Sequence, residues 1–193
     1  KPIPLIFEVR GLPREKGNRS MDVWRRTGTN IGVVVQCENG YWAAGDGGGY
    51  VWENDDKRTD KRFAGGGGGS HHENFIKAVR SRKHSDLNAD CEETHYSSAL
   101  CHTGLISHQV GMPVHDSEVR EKIASDSFLS GRYLAMQEHL DRNGVDLDSE
   151  TITLGPLLQF NPDSERFEGN GDLDGKANAL AKREYRKPYE VPD

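Results

Sequence analysis

Apolar residues recur at every second position in the first third of the chain and at every third or fourth position in its middle. Leu5, Phe7 and Val9 share one face of an extended run, with Ile6, Glu8 and Arg10 on the other. A lone strand is not stable, so this one is expected to join a sheet formed later in the chain or supplied from upstream. Ile31 to Glu38 alternates again, with Ile31, Val33, Val35 and Cys37 as one set. Asn39-Gly40 follows as a hairpin signal, because both central residues of a type I′ turn need positive φ. A return strand from Tyr41, the turn AGDGGG, the strand YVWEN, a turn at Asp55-Asp56 and the strand KRTDKRF complete an antiparallel meander. Tyr41, Trp42, Tyr50 and Trp52 are placed to pair across it.

Residues 1–64 are thus the strand-bearing part. Within them, GLPREKGNRSMDVWRRTGTN reads as a long solvated loop. Its functional alternative is the placement of Trp24 among arginines that include Arg25 and Arg26. Over residues 65–143 the period becomes helical. Ser70-His71-His72-Glu73 has the form of a capping box ahead of Phe75, Ile76 and Val79, so a Ser70 side-chain cap is expected to support the helix. Asp90 and Glu93 form a second such signal, before a helix whose stripe is Tyr96, Ala99, Leu100, Thr103 and Val110. Gly111 and Pro113 end that helix. After a break near Ser125-Asp126, Leu129, Tyr133, Met136 and Leu140 line a third helix that stops at Asn143-Gly144. Residues 144–193 are turn-rich, with a short apolar stretch TITLGPLLQF and an extended tail expected to wrap along a surface. The pattern predicts one α+β domain over 1–193: an open, mostly antiparallel sheet with helices on one face.

The five glycines at 65–69 do not make a nucleotide loop. No Gly-Lys-Ser/Thr closes the run, and Ser70 and His71 stand where the last glycine of G-x-G-x-x-G would fall. The run leads instead into an amphipathic helix, as a native flexible connection. With 193 residues, a net charge of −6 and 34% hydrophobic residues, the chain is long enough for one core. The acidic balance argues against a general nucleic-acid binder. No apolar run reaches membrane-spanning length. Three cysteines without a CxxC pair leave the redox compartment open.

Seven of the eight histidines lie between His71 and His115. Cys91, His95 and His102 share a helical stripe, which makes a metal site geometrically possible, but no carboxylate completes it and no metal is expected. Cys101 and His102 are adjacent and point to different helix faces, which weakens them as a nucleophile pair. Asp55 and Asp56 suffice as turn formers. His71 and His72, in a first helical turn beside glycines, are placed where backbone N–H groups and an imidazole can meet a polar ligand. No catalytic constellation is self-sufficient.

Several stretches taken together are more specific. PLIFEVRGLP, MDVWRRTGTNIGVVVQCENGYW, HHENFIKAVRSRKHSDLNADCEETHYSSALCHTG and ANALAKREYRKPYEVP resemble the C-terminal part of Gfo/Idh/MocA-type oxidoreductases of a bacterial branch. The resemblance implies a parent in which an N-terminal Rossmann domain binds NAD(P) and this chain supplies the substrate side and the oligomer contacts. The chain itself lacks the nucleotide fingerprint and the Glu-Lys-Pro lysine of that family. Thr94 stands where glycine is expected, and LISHQVG replaces a segment that often carries asparagine, tyrosine and arginine. No catalytic or cofactor-binding residue is carried over.

The expectation is therefore a fragment, inactive alone, of an oxidoreductase acting on sugars or polyols. Its partners would be the missing Rossmann domain, a small sugar-like substrate met by Trp24, Arg25 or His72, and further copies joined through the open sheet. The alternative is a non-catalytic binding or assembly module. Because the strand–glycine turn–helix that seats a pyrophosphate is missing from the sequence, calorimetric titration with NADH or NADPH is expected to show no micromolar binding.

Overall fold

The computed structural model describes residues 3–23, 26–65, 70–183 and 185–190. They form a mixed α+β structure with open antiparallel sheets, divided into two compact units. One unit comprises residues 1–90 with 138–144; the other comprises 91–137 with 145–193. Among the described residues no helix is long and apolar enough to cross a membrane.

The first unit is built on the expected meander. Strands β1 (Val33–Gln36), β2 (Gly40–Gly45), β3 (Gly48–Glu53) and β4 (Arg58–Ala64) lie side by side in chain order, each antiparallel to the next. The first hairpin differs from the sequence expectation by one residue. Gln36 pairs with Tyr41, and the Cys37 N–H donates to the Gly40 carbonyl at 2.8 Å, so Glu38 and Asn39 make the turn. Neither Asn39 nor Gly40 has positive φ. The cause lies across the sheet: a Cβ on Gly40 would sit 2.2 Å from the Trp52 carbonyl oxygen, and one on Gly49 would sit 1.9 Å from that of Ala43. The glycines are needed inside the strands, where backbones approach closely.

Register divides the meander into two faces. Val34, Gln36, Tyr41, Ala43, Tyr50, Trp52, Arg58 and Arg62 pair along one. Val33, Val35, Trp42, Ala44, Gly49, Val51 and Phe63 occupy the other. Tyr41, Ala43 and Ala44 of the central strand are buried, while Val33, Val35 and Phe63 stay about half exposed. Trp42, Tyr50 and Trp52 are half-buried.

The expected first strand, Leu5 to Arg10, belongs to no strand of the structure, and Leu5, Phe7 and Val9 are exposed. Among the described residues no strand pairs with it. Helix α1 (His71–Ser81) begins where the sequence places it and ends at Arg82 in the left-handed conformation. Its buried residue is Ala78. The Ser70 backbone holds the N-cap position, and its carbonyl accepts from Asn74 at 3.0 Å, but its hydroxyl makes no capping bond. At an exposed helix end, water can satisfy the free N–H groups instead. Asn74 then ties α1 to the following 3₁₀ turn, donating to the Asp86 carbonyl at 2.6 Å and accepting from the Asn88 N–H at 3.0 Å.

The second unit contains α2 (Cys91–Gln109), the ribbon of β5 (Met112–Val114) with β6 (Ile152–Leu154), α3 (Asp116–Ile123) and the start of α4 (Ser127–Arg142). It continues with the ribbon of β7 (Phe160–Asn161) and β8 (Arg166–Phe167), and ends in α5 (Leu173–Ala181), a helix outside the sequence expectation. The apolar centre joins Ile106 of α2, Phe167 of β8 and Ala177 of α5, with Leu158 and Phe160 packed against it. Asn178 fixes α5 to β8 by accepting from the Phe167 N–H at 3.0 Å and donating to its carbonyl at 2.9 Å. The expected α2 stripe is only partly buried: Tyr96 and Leu100 are exposed, and Ile106 is the residue that reaches the centre. Leu129 of the α4 stripe is likewise exposed.

These contacts rank two substitutions. Phe167→Ala removes the fully buried ring of the second centre and is expected to cost about 3–5 kcal/mol. Ser70→Ala removes a hydroxyl that caps nothing and is expected to change stability by no more than about 0.5 kcal/mol. Urea denaturation checks both.

Candidate functional site

Trp24 and Arg25, two of the three residues expected to meet substrate, lie outside the described residues. The third, His72, is exposed in the first turn of α1, its ring tilted against that of His71 at 4.3 Å. It lines a shallow groove of about 650 Å³ with Glu73, Ile76, Lys77, Arg80 and Ser81. Positions 72, 76 and 80 form one ridge along the helix and 73, 77 and 81 the next, so the groove is the furrow between two rows of a single helix. Among the described residues it brings no group from a second element toward His72.

The densest polar cluster of the first unit centres instead on Asp22, in the long loop. Its Oδ2 accepts from Arg10 Nη1 at 2.6 Å and from Arg142 Nη2 at 3.2 Å, and lies 3.3 Å from His139 Nδ1. His139 is buried, 3% exposed, and neither ring nitrogen makes an aligned hydrogen bond. The imidazole therefore feels the carboxylate by proximity more than by a directed bond. Nearby, Asn143 donates to the Pro13 carbonyl at 3.0 Å and the Lys16 N–H donates to the Arg142 carbonyl at 3.1 Å. Together these contacts pin the loop to the C-terminal turn of α4. Burial pushes the Asp22 carboxyl up, but the Arg10 hydrogen bond and charge, the Val23 N–H and the Arg142 charge outweigh it and hold the group below its ordinary value.

A second cluster lies in the other unit. Asp116, at the start of α3, accepts from Tyr133 Oη at 2.6 Å and from Gln137 Nε2 of α4 through one oxygen, and from Arg120 Nε at 2.6 Å through the other. The Tyr133 and Arg120 bonds hold the Asp116 carboxyl low. Burial, with the bond to that carboxylate, pushes the Tyr133 phenol up. Such a phenol stays protonated at neutral pH and serves as a donor, not a base. The arrangement locks α3 to α4.

The other histidine expectations are resolved singly. His95 pairs with Glu165 at 2.7 Å and His84 with Asp90 at 2.9 Å. Cys37, Cys91 and Cys101 are exposed free thiols. Among the described residues no three His, Cys, Asp or Glu side chains converge as a metal cage.

Aromatic rings and guanidinium groups form the third feature. Tyr41 stacks on Trp52 at 6.4 Å, and its hydroxyl donates to Asp56. Arg26 lies 5.4 Å from the centre of the Trp52 ring. Farther along the same sheet face, Arg58 and Arg62 lie 4.7 Å and 5.8 Å from the centre of the Tyr50 ring. On the opposite face Trp42 meets Phe63 edge-on at 6.3 Å.

No family model matches the sequence, and neither a curated protein nor a solved structure matches it.

Sequence reasoning missed Asp22, His139, Asp116 and Tyr133. Only the Asp116–Arg120 spacing of four carries a local signal. The Asp22 cluster yields a signed pH dependence. Because its carboxyl is held below the ordinary value of 3.8, its contribution is complete above that pH and fades as acidification passes through the lowered pKa. Asp22→Asn is expected to cost about 1–3 kcal/mol at neutral pH. Its stability curve should converge on the wild-type curve in acid; a constant offset across pH would show that the charge plays no part.

Proposed function

We propose that this chain is the substrate-side and oligomerisation portion of an NAD(P)-dependent oxidoreductase acting on sugars or polyols. The observation that carries the reading is the open meander, whose apolar face keeps Val33, Val35 and Phe63 about half exposed at strand spacing. A row of that kind on an unclosed sheet is suited to a second sheet, and a symmetric pair of copies is the simplest closed arrangement. The resemblance of the long loop and of the His71 to Gly104 segment to the oxidoreductase family supports the same role. In this reading the Asp22 cluster braces the loop on the substrate side, while the nicotinamide and its phosphates are held by another domain. The dinucleotide would supply the hydride chemistry; the residues described here orient the substrate and join the copies.

Light scattering of the chain is expected to give a discrete oligomer that Val33→Lys with Val35→Lys dissociates without loss of secondary structure. Saturation-transfer NMR with a panel of neutral sugars and polyols should show binding that the dissociating variant retains. A concentration-independent monomer that binds none of the panel would overturn the proposal. A discrete oligomer that binds none would favour the assembly module.

A further inference from the structure

We propose that the Tyr50 face of the meander is a binding site for a small oxyanion, a phosphate or carboxylate group held between Arg58 and Arg62. Both guanidinium groups lie over one ring, at 4.7 Å and 5.8 Å from its centre. The register explains how two residues four apart on one strand reach the same ring. Tyr50 pairs with Arg62 and Trp52 with Arg58, so β4 carries two more residues than β3 between the same pairs. This irregularity draws the Arg58 side toward Tyr50.

Two like charges collected over one ring repel each other, and a structural role would call for a carboxylate between them. Among the described residues neither arginine has a carboxylate within ion-pair distance. Asp60, which separates them in sequence, pairs with neither. Arg62 is held in place by its Nη2 bond to the Gly47 carbonyl at 3.0 Å, which leaves its other donors available. Among the described residues Arg58 is held by the Tyr50 ring alone. A guanidinium stacked on an aromatic face keeps its in-plane N–H groups free at the edge, the direction in which phosphate and carboxylate oxygens bind.

Arg26 adds a third guanidinium on the same face, over Trp52 and 3.9 Å from Asp56. Its partner Asp56 already accepts the Tyr41 hydroxyl. The net charge of −6 disfavours a long polyanion, so the fitting ligand is small and carries one or two negative charges. The inference does not depend on the oxidoreductase reading, because oxyanion binding is measured on this chain without a cofactor or a polyol.

The test is an NMR titration of the whole chain with inorganic phosphate and, separately, with acetate. It follows the Arg58 and Arg62 Nε–H signals and the Tyr50 ring. Saturable shifts are expected at these three residues, and the tighter of the two anions identifies the ligand group. Arg58→Gln should weaken binding about tenfold. Arg58→Lys, which keeps the charge but loses the fork, should weaken it less. The Trp52 indole signal reports that the meander remains folded in each variant. Unshifted signals would overturn the proposal, as would an unchanged response in the Arg58→Gln, Arg62→Gln double variant. Binding of an oligonucleotide with no response to either small anion would overturn it as well.

Discussion

Among the described residues few side chains leave water completely, and that scarcity shapes how each unit is held together. The meander buries Tyr41, Ala43 and Ala44; the second unit buries Ile106, Phe167 and Ala177. Centres of that size offset only part of the conformational entropy lost on ordering so many loop residues. Polar clasps supply the remaining constraints. Asp22 binds a long loop to the end of α4, and Asp116 binds α3 to the body of the same helix. Each carboxylate is ionised and gathers several donors, which makes these bonds stronger than neutral ones. Protonation of either carboxylate, held below its ordinary value by these donors, would loosen the contacts it gathers.

The same scarcity appears on the surface. Val33, Val35 and Phe63 on the sheet, Phe75, Ile76 and Val79 on α1, and Tyr96, Leu100 and Leu105 on α2 are all exposed. Isolated exposed apolar residues are ordinary, but rows at strand or helix spacing are what buried faces look like. The proposed role gives them partners: a second copy on the sheet, and further protein on the helices. A stand-alone assembly module would need a partner for each of the same rows.

The sequence shows the meander clearly because two signals coincide there, alternating apolar residues and glycine-bearing turns. Its first turn is displaced by one residue because Gly40 is required against the Trp52 carbonyl, a cross-strand contact invisible to local pattern. The run Leu5 to Val9 shows the opposite failure, an alternating pattern that forms no strand. Helix α5 was missed: Leu173, Ala177 and Leu180 recur at helical spacing, but Gly175 and the turn-rich surroundings masked it. The Asp22 cluster was not legible at all, since Arg10, Asp22 and His139 share no sequence spacing and meet only through the fold. Tyr133 fitted an apolar stripe, and nothing in its spacing announced that its hydroxyl would be bound by Asp116.

The two faces of the meander have different chemistry, and this separates their uses. One carries Arg26, Arg58 and Arg62 stacked on Trp52 and Tyr50; the other carries valines and Phe63, with Lys61 reaching over the ring. Covering the first face with protein would desolvate three guanidinium groups whose ion-pair partner among the described residues is Asp56, a cost that apolar contact does not repay. Covering the second removes apolar surface from water and leaves the Lys61 ammonium free to reach the rim. In the proposed assembly a second copy is therefore directed to the valine face. On the arginine face Arg58 and Arg62 are exposed, so the proposed anion would enter and leave at β4 without disturbing that assembly. The sheet can serve both purposes because strand alternation keeps the two sets of side chains on opposite sides of one backbone.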